Sequence, residues 1–164
     1  KGGLGSASTQ LPDGTIVAAL VVVNALGDII DPQTQQVVAG ASNPSGKAFL
    51  SANPFSNTTI AVVATSASLT KDEANKMAQM AHNGIALTIR PAHTMFDGDT
   101  IFALALGRHP SGRQDAMTAA AQISTLGNVA ATTLARAIVK AVHAAHDLHG
   151  VPAITQHGNE REGY

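Results

Sequence analysis

The sequence predicts an α/β layered fold, and part of a larger one. Apolar runs of strand length stand at Thr15–Asn24, Thr58–Thr65 and Ile101–Leu106, the first two rich in valine or threonine. Two segments with helical periodicity alternate with them, one opening at Thr70 and one running from about Gln114 to His146. Apolar residues make up 45% of the 164 residues and charged ones only 13%. Three strands and two helices give a sheet too small to bury that much apolar surface.

The elements follow in order. KGGLGSAS, at residues 1–8, reads as a glycine-rich opening loop, and LPDG as a turn. TIVAALVVVN is a continuous apolar run, the pattern of a strand buried on both faces. ALGDIIDPQTQQ reads as a return loop and VVAG as a short strand. From Ala41 to Asn57, Ser, Asn, Pro and Gly dominate, the composition of an exposed, cleavable loop. TTIAVVAT then forms the second long strand.

Thr70 and Glu73 stand in the capping-box relation. The helix they open carries Ala74, Met77, Ala78, Ala81 and Ile85 on one face, with Asn83-Gly84 expected to fray it. Pro91 ends that helix, and Asp97-Gly98-Asp99 is turn chemistry, so RPAHTMFDGDT is a loop leading into the third strand. The last helix turns Ile123, Leu126, Val129, Leu134, Ile138 and Val142 inward. Its alanines, among them Ala119, Ala120, Ala121, Ala130, Ala131, Ala137 and Ala141, lie on several faces and let a neighbour approach closely. With so little charge, the chain is expected to form a homo-oligomer. From Gly150 onward it is polar and loose, and no internal repeat is present.

Composition excludes several functions. Cysteine is absent, which removes disulfides, thiolate zinc sites and cysteine nucleophiles. A net charge of -1, 3% aromatics and no tryptophan leave no basic, aromatic-laced surface for nucleic acid or anionic lipid. No apolar run is long enough to span a membrane, and a cytoplasmic location is expected. KGGLGSAS is neither a signal peptide nor a start of translation, so a targeting segment would lie upstream. The P-loop spacing is missing, which argues against a nucleotide site. His143, His146 and His149 suit the C-terminal end of the long helix better than a metal. No metal or organic cofactor is expected.

Four places could carry chemistry. Thr58 and Thr59 open a strand directly after the polar loop NPFSN. The pattern by itself favours an ordinary strand edge; the sharper reading is a break in the chain that frees Thr58 as an N-terminal nucleophile. Asp97 and Asp99 flank a glycine; in extended backbone they share a side and could orient a base or anchor an ammonium, and otherwise they are an ordinary Asp-Gly turn. Asn24 ends the first strand, where its amide projects into a cleft or closes a turn. His93 and Thr100 sit beside the carboxylates as supporting residues.

KGGLGSAS, VVVNALGDIIDP, SNTTIAVVAT and IRPAHTMFDGDTIFALALG, in that order, resemble the DmpA-type aminopeptidases. That group comprises L-aminopeptidase/D-amidase/esterases, β-peptidyl aminopeptidases and endo-type nylon-oligomer hydrolases. The resemblance covers residues 1 to about 140, and SNTT followed by HTxxDGDT is its most specific part. It implies a four-layer α-β-β-α sandwich like that of N-terminal nucleophile hydrolases and of ornithine acetyltransferases, incomplete here on its N-terminal side. Family members carry a long segment before the KGG motif. The resemblance also implies a precursor that cuts itself at Asn57–Thr58. Residues 1–57 would end the larger subunit and 58–164 would form the smaller one, within a single catalytic domain.

Carried over by motif, Thr58 is the nucleophile, Lys1 lies near it, Asn24 helps form the oxyanion hole, and Asp97 and Asp99 support the nucleophile. The β-peptidyl members have a Ser nucleophile and a Ser/Glu pair, so Thr, Asp and Asp resemble the nylon-oligomer hydrolases more. The implied substrates are small peptides, amino-acid amides or ω-amino-acid oligomers. The implied assembly is a tetramer of processed protomers that includes the upstream segment. A freed Thr58 would use its own α-amine as base, since such amines titrate at about 7.7–8.0. Self-cleavage precedes that amine and needs another base, Asp99 or Lys1. The alternative is an acyltransferase with the same nucleophile, passing the acyl group to an amine.

Overall fold

The computed structural model describes residues 1–40, 57–109 and 115–154. The expected cleavable loop, apart from Asn57, and the end of the polar tail lie outside them. Strands β1 (Leu4–Gln10), β2 (Ile16–Asn24), β5 (Thr58–Ala67) and β7 (Thr100–His109) form one sheet in the order β1-β2-β5-β7. Strand β2 is antiparallel to both of its neighbours, β1 and β5, and β7 runs parallel to β5. Strands β3 (Asp28–Ile30), β4 (Val37–Ala39) and β6 (Ile89–Arg90) form a small second sheet in the order β4-β3-β6. Helix α1 (Lys71–Thr88) connects β5 to β6, and α2 (Ala116–His143) follows β7.

The first helix begins as its sequence predicts: Thr70 caps it, and the Glu73 carboxylate accepts the Thr70 N–H at 2.8 Å. Met77, Ala78, Ala81 and Ile85 are buried against α2 and the sheet. On α2, Leu126, Leu134, Ile138 and Val142 are buried, with Ile123 and Val129 packed beside them. No helix among the described residues is long and apolar enough to cross a membrane.

Several expectations are corrected. The glycine-rich opening is strand β1 rather than a loop. A Cβ on Gly3 or Gly5 would come within 2.2 Å of the carbonyl oxygen of Ala141 or Ala137, so these glycines let the strand lie directly on the α2 backbone. Gly84 does not fray α1. It is buried, and a Cβ there would come 2.4 Å from the Ala131 carbonyl oxygen where the two helices meet. Ala130, Ala131, Ala137 and Ala141 are therefore buried within their own chain, whereas Ala120 and Ala121 are exposed. The DII of the expected return loop forms β3, paired with both β4 and β6.

Strand β2 is also not covered on both faces. Val17, Ala19, Val21 and Val23 point into the core, while Ile16, Leu20 and Val22 are exposed. Leu4, Ile60, Phe102 and Leu104 of the other strands are exposed as well. By strand alternation, Asn24 and Thr58 share the open face with Val22 and Ile60. One helical layer on one sheet, with the opposite sheet face apolar and open, is half of an α-β-β-α sandwich. A second sheet stacked on that face would complete it.

Candidate active site

Strand register gathers the expected site residues at one end of the main sheet. Antiparallel pairing sets the start of β1 beside the end of β2, and Val23 N–H donates to Gly3 O at 2.8 Å. Asn24 pairs directly with Thr58. Parallel pairing then places the start of β7 beside the start of β5, with Ile60 opposite Thr100. Lys1, Asn24, Thr58 and Asp99 thus stand at adjacent strand ends. Lys1 and Asn24 line a cavity of about 470 Å³, together with Ala25, Gly27, Ile29 and Val142.

The Asn57–Thr58 peptide is held from two sides. Thr58 Oγ1 donates to Asn57 O at 2.7 Å, and Gly98 N–H donates to the same oxygen at 3.1 Å. This contact belongs to a short parallel bridge between Asn57 and Asp97. The two carboxylates do different things. Asp97 Oδ2 accepts both the N–H and the Oγ1 hydroxyl of Thr94, at 2.7 and 2.8 Å, which closes the loop on itself. Asp99 Oδ1 accepts Thr59 N–H at 2.8 Å, and its other oxygen lies 3.4 Å from His93 Nδ1. The Asp99 side chain is only 7% exposed. Thr100 Oγ1 donates to Gly98 O at 3.2 Å and steadies the same turn.

His93 holds a left-handed backbone conformation, φ 57°, and its ring lies 5.3 Å from that of His82 on α1. Burial first, and then the neighbouring His93, hold His82 below the usual imidazole range, with Asp99 pulling the other way. The sign follows: the folded chain binds a proton at His82 less readily than the unfolded chain does. Stability from this group is whole above about pH 6.5 and is lost as pH falls from there through the lower folded value. His82→Gln is expected to flatten that part of the profile, read as melting temperature between about pH 8 and about pH 5. Identical slopes in both proteins would refute the assignment.

Two residues in this arrangement escape a reading for reactive side chains. Gly98 acts through its backbone; its signal is a glycine between two acids at a place with no room, since a Cβ there would sit 2.9 Å from Thr58 Oγ1. Thr94 precedes Asp97 by three residues, a spacing at which a side-chain turn can close. Among the described residues Thr59 Oγ1 is buried with no hydrogen-bond partner, so of the threonine doublet only Thr58 turns its hydroxyl to the Asn57 carbonyl oxygen. Of the three late histidines, His143 ends α2 and His146 and His149 lie beyond it. Among the described residues, no group of His, Asp and Glu converges as a metal site would.

The profile of Peptidase family S58 matches residues 1–155. The chain is 40% identical over 178 residues to an uncharacterised aminopeptidase of Mycobacterium bovis, covering 93% of this chain and 51% of that protein. It is 32% identical over 116 residues to a 6-aminohexanoate-oligomer endohydrolase of Paenarthrobacter ureafaciens, covering 62% of this chain and 32% of that one. A Burkholderia sp. β-aminopeptidase structure matches with TM-score 0.56 and 28% identity over 87% of this chain and 42% of its own. The L-aminopeptidase D-Ala-esterase/amidase of Ochrobactrum anthropi, a variant of the Ntn hydrolase fold, matches in fold with TM-score 0.62. That match has 23% identity over 93% of this chain and 43% of its own. The chain spans about half the length of the mycobacterial relative. Since the family profile runs from the glycine-rich opening through both helices, the chain belongs to Peptidase family S58, the DmpA-type aminopeptidases.

Proposed function

We propose that this chain carries the nucleophile of a self-cleaving amide hydrolase. Cleavage of Asn57–Thr58 makes Thr58 a new N-terminus, and its hydroxyl then opens amide bonds through an acyl-enzyme. The observation that carries this reading is the 2.7 Å contact from Thr58 Oγ1 to Asn57 O, made where four strand ends converge. A threonine that only suited a strand edge would need no carbonyl partner across the bond that precedes it.

The chemistry follows from what each group can do. A threonine hydroxyl is a poor nucleophile at neutral pH until a base removes its proton. The α-amine released at Thr58 is within reach of its own hydroxyl and titrates near working pH, so it serves as that base. Asn24, paired with Thr58 across the strands, directs its amide N–H to the substrate oxyanion. Lys1, on the same cavity wall, adds positive charge. Asp99 fixes the start of β5 through Thr59 N–H, so the nucleophile keeps its aim.

Substrates on this reading are small peptides, amino-acid amides or ω-amino-acid oligomers, in keeping with relatives named as aminopeptidase and 6-aminohexanoate-oligomer endohydrolase. Residues 1–57 end the larger subunit, 58–164 form the smaller one, and processed protomers assemble as a homo-oligomer. Intact-mass measurement and N-terminal sequencing of the full-length protein test the proposal. The small fragment is expected to begin TTIAVV. A single polypeptide after long incubation would count decisively against it. Product analysis with and without an added amino-acid acceptor separates hydrolysis from acyl transfer.

A further inference from the structure

We infer that the main-chain N–H of Gly98 is the oxyanion donor of the self-cleavage step, distinct from the Asn24 amide that serves external substrates. The inference rests on the self-cleavage reading and names the group that completes it.

The step begins with Thr58 Oγ adding to the Asn57 carbonyl carbon while its proton passes to a base. The carbonyl π pair becomes a negative charge on Asn57 O. The C–N bond then breaks, the nitrogen takes up a proton and leaves as the Thr58 amine, and Asn57 is left as an ester on Thr58 Oγ. Water hydrolyses that ester to a carboxylate and restores the hydroxyl.

The charge thus develops on Asn57 O. The structure places two donors on that oxygen, Thr58 Oγ1 at 2.7 Å and Gly98 N at 3.1 Å. The hydroxyl loses its proton as it attacks, so it cannot hold the oxyanion. Gly98 N–H stays, at a distance suited to a charge-stabilising donor.

The turn around it is fixed in advance. On one side, Asp97 Oδ2 accepts the N–H and hydroxyl of Thr94, and Asp97 N–H donates to Thr94 O at 3.2 Å. On the other, Asp99 Oδ1 holds Thr59 N–H at 2.8 Å. Donors that need no reorganisation as charge develops contribute most to catalysis. Glycine is required because a Cβ would meet the attacking Thr58 Oγ1 at 2.9 Å. The Asp-Gly-Asp sequence therefore serves three functions: one acid closes the loop, the glycine amide faces the scissile carbonyl, and the other acid pins the next residue of β5.

The test replaces residue 98 by glycolic acid in the full-length chain. The resulting backbone ester removes one N–H and changes no side chain. Self-cleavage, followed by intact mass, is expected to slow about a hundredfold. The same ester placed in the uncut Thr58→Ala chain is expected to leave the melting temperature close to that of its amide parent. Cleavage of the ester chain at the wild-type rate, while the amide chain cuts normally, overturns the inference and leaves the self-cleavage reading standing. A wild-type chain that never cuts overturns both. If the ester chain does not fold, the scalar coupling across the hydrogen bond between Gly98 ¹⁵N and the Asn57 carbonyl ¹³C, measured in Thr58→Ala, decides instead. A measurable coupling is expected, and its absence overturns the inference.

Discussion

Full-length protein carrying Thr58→Ala is expected to remain a single polypeptide and to lose essentially all amide hydrolysis. Both losses have one cause. The substitution removes the oxygen that rests on Asn57 O, and with no cleavage the α-amine is never released. Removing an activated nucleophile elsewhere costs on the order of 10⁶ in turnover. The fold is expected to survive, because Thr58 is half-buried at a strand end and its main-chain pairing with Asn24 is untouched. Such a change shifts stability by less than about 1 kcal/mol. Thr59→Ala is the control. It removes a buried hydroxyl that has no partner, so the chain is expected to cut, if more slowly. The measurement is intact mass over time, with melting temperature in parallel. A Thr58→Ala chain that cuts at Asn57–Thr58 would remove Thr58 from the mechanism.

The threonine doublet shows why part of this site is legible in sequence and part is not. The helices are written in local periodicity: a capping box at Thr70 and apolar residues three and four apart mark α1 and its buried face before any partner is known. Strand β5 is equally plain. The glycine-rich opening is not, because Gly3 and Gly5 are dictated by the backbone of α2, more than 130 residues away. The alternation of β2 is hidden because both of its faces are apolar, one packed on helices and one open. Asp97 and Asp99 stand out as charges, but their separate tasks depend on Thr94 in the same loop and on Thr59 in another strand. Gly98 has no side chain to announce it. Its role exists only once parallel pairing sets its N–H against Asn57.

That division between the two acids predicts unequal effects. Asp99→Asn is expected to slow both self-cleavage and turnover by about 10²-fold, with little change in melting temperature. The Asn carbonyl can still accept Thr59 N–H, so the strand start keeps its hydrogen bond. What is lost is the charge of a nearly buried carboxylate, and its second oxygen is replaced by an NH2 facing His93. Asp97→Asn is expected to do much less. Its carbonyl oxygen can accept both the N–H and the hydroxyl of Thr94, and the loop needs geometry there more than charge. Rates of fragment appearance and of amide hydrolysis, measured on both full-length variants beside melting temperature, separate the cases. Equal losses would mean the acids share one task. Wild-type rates in both would make the pair an ordinary turn, and the charge of Asp99 would then serve only to hold β5 and His93 in place.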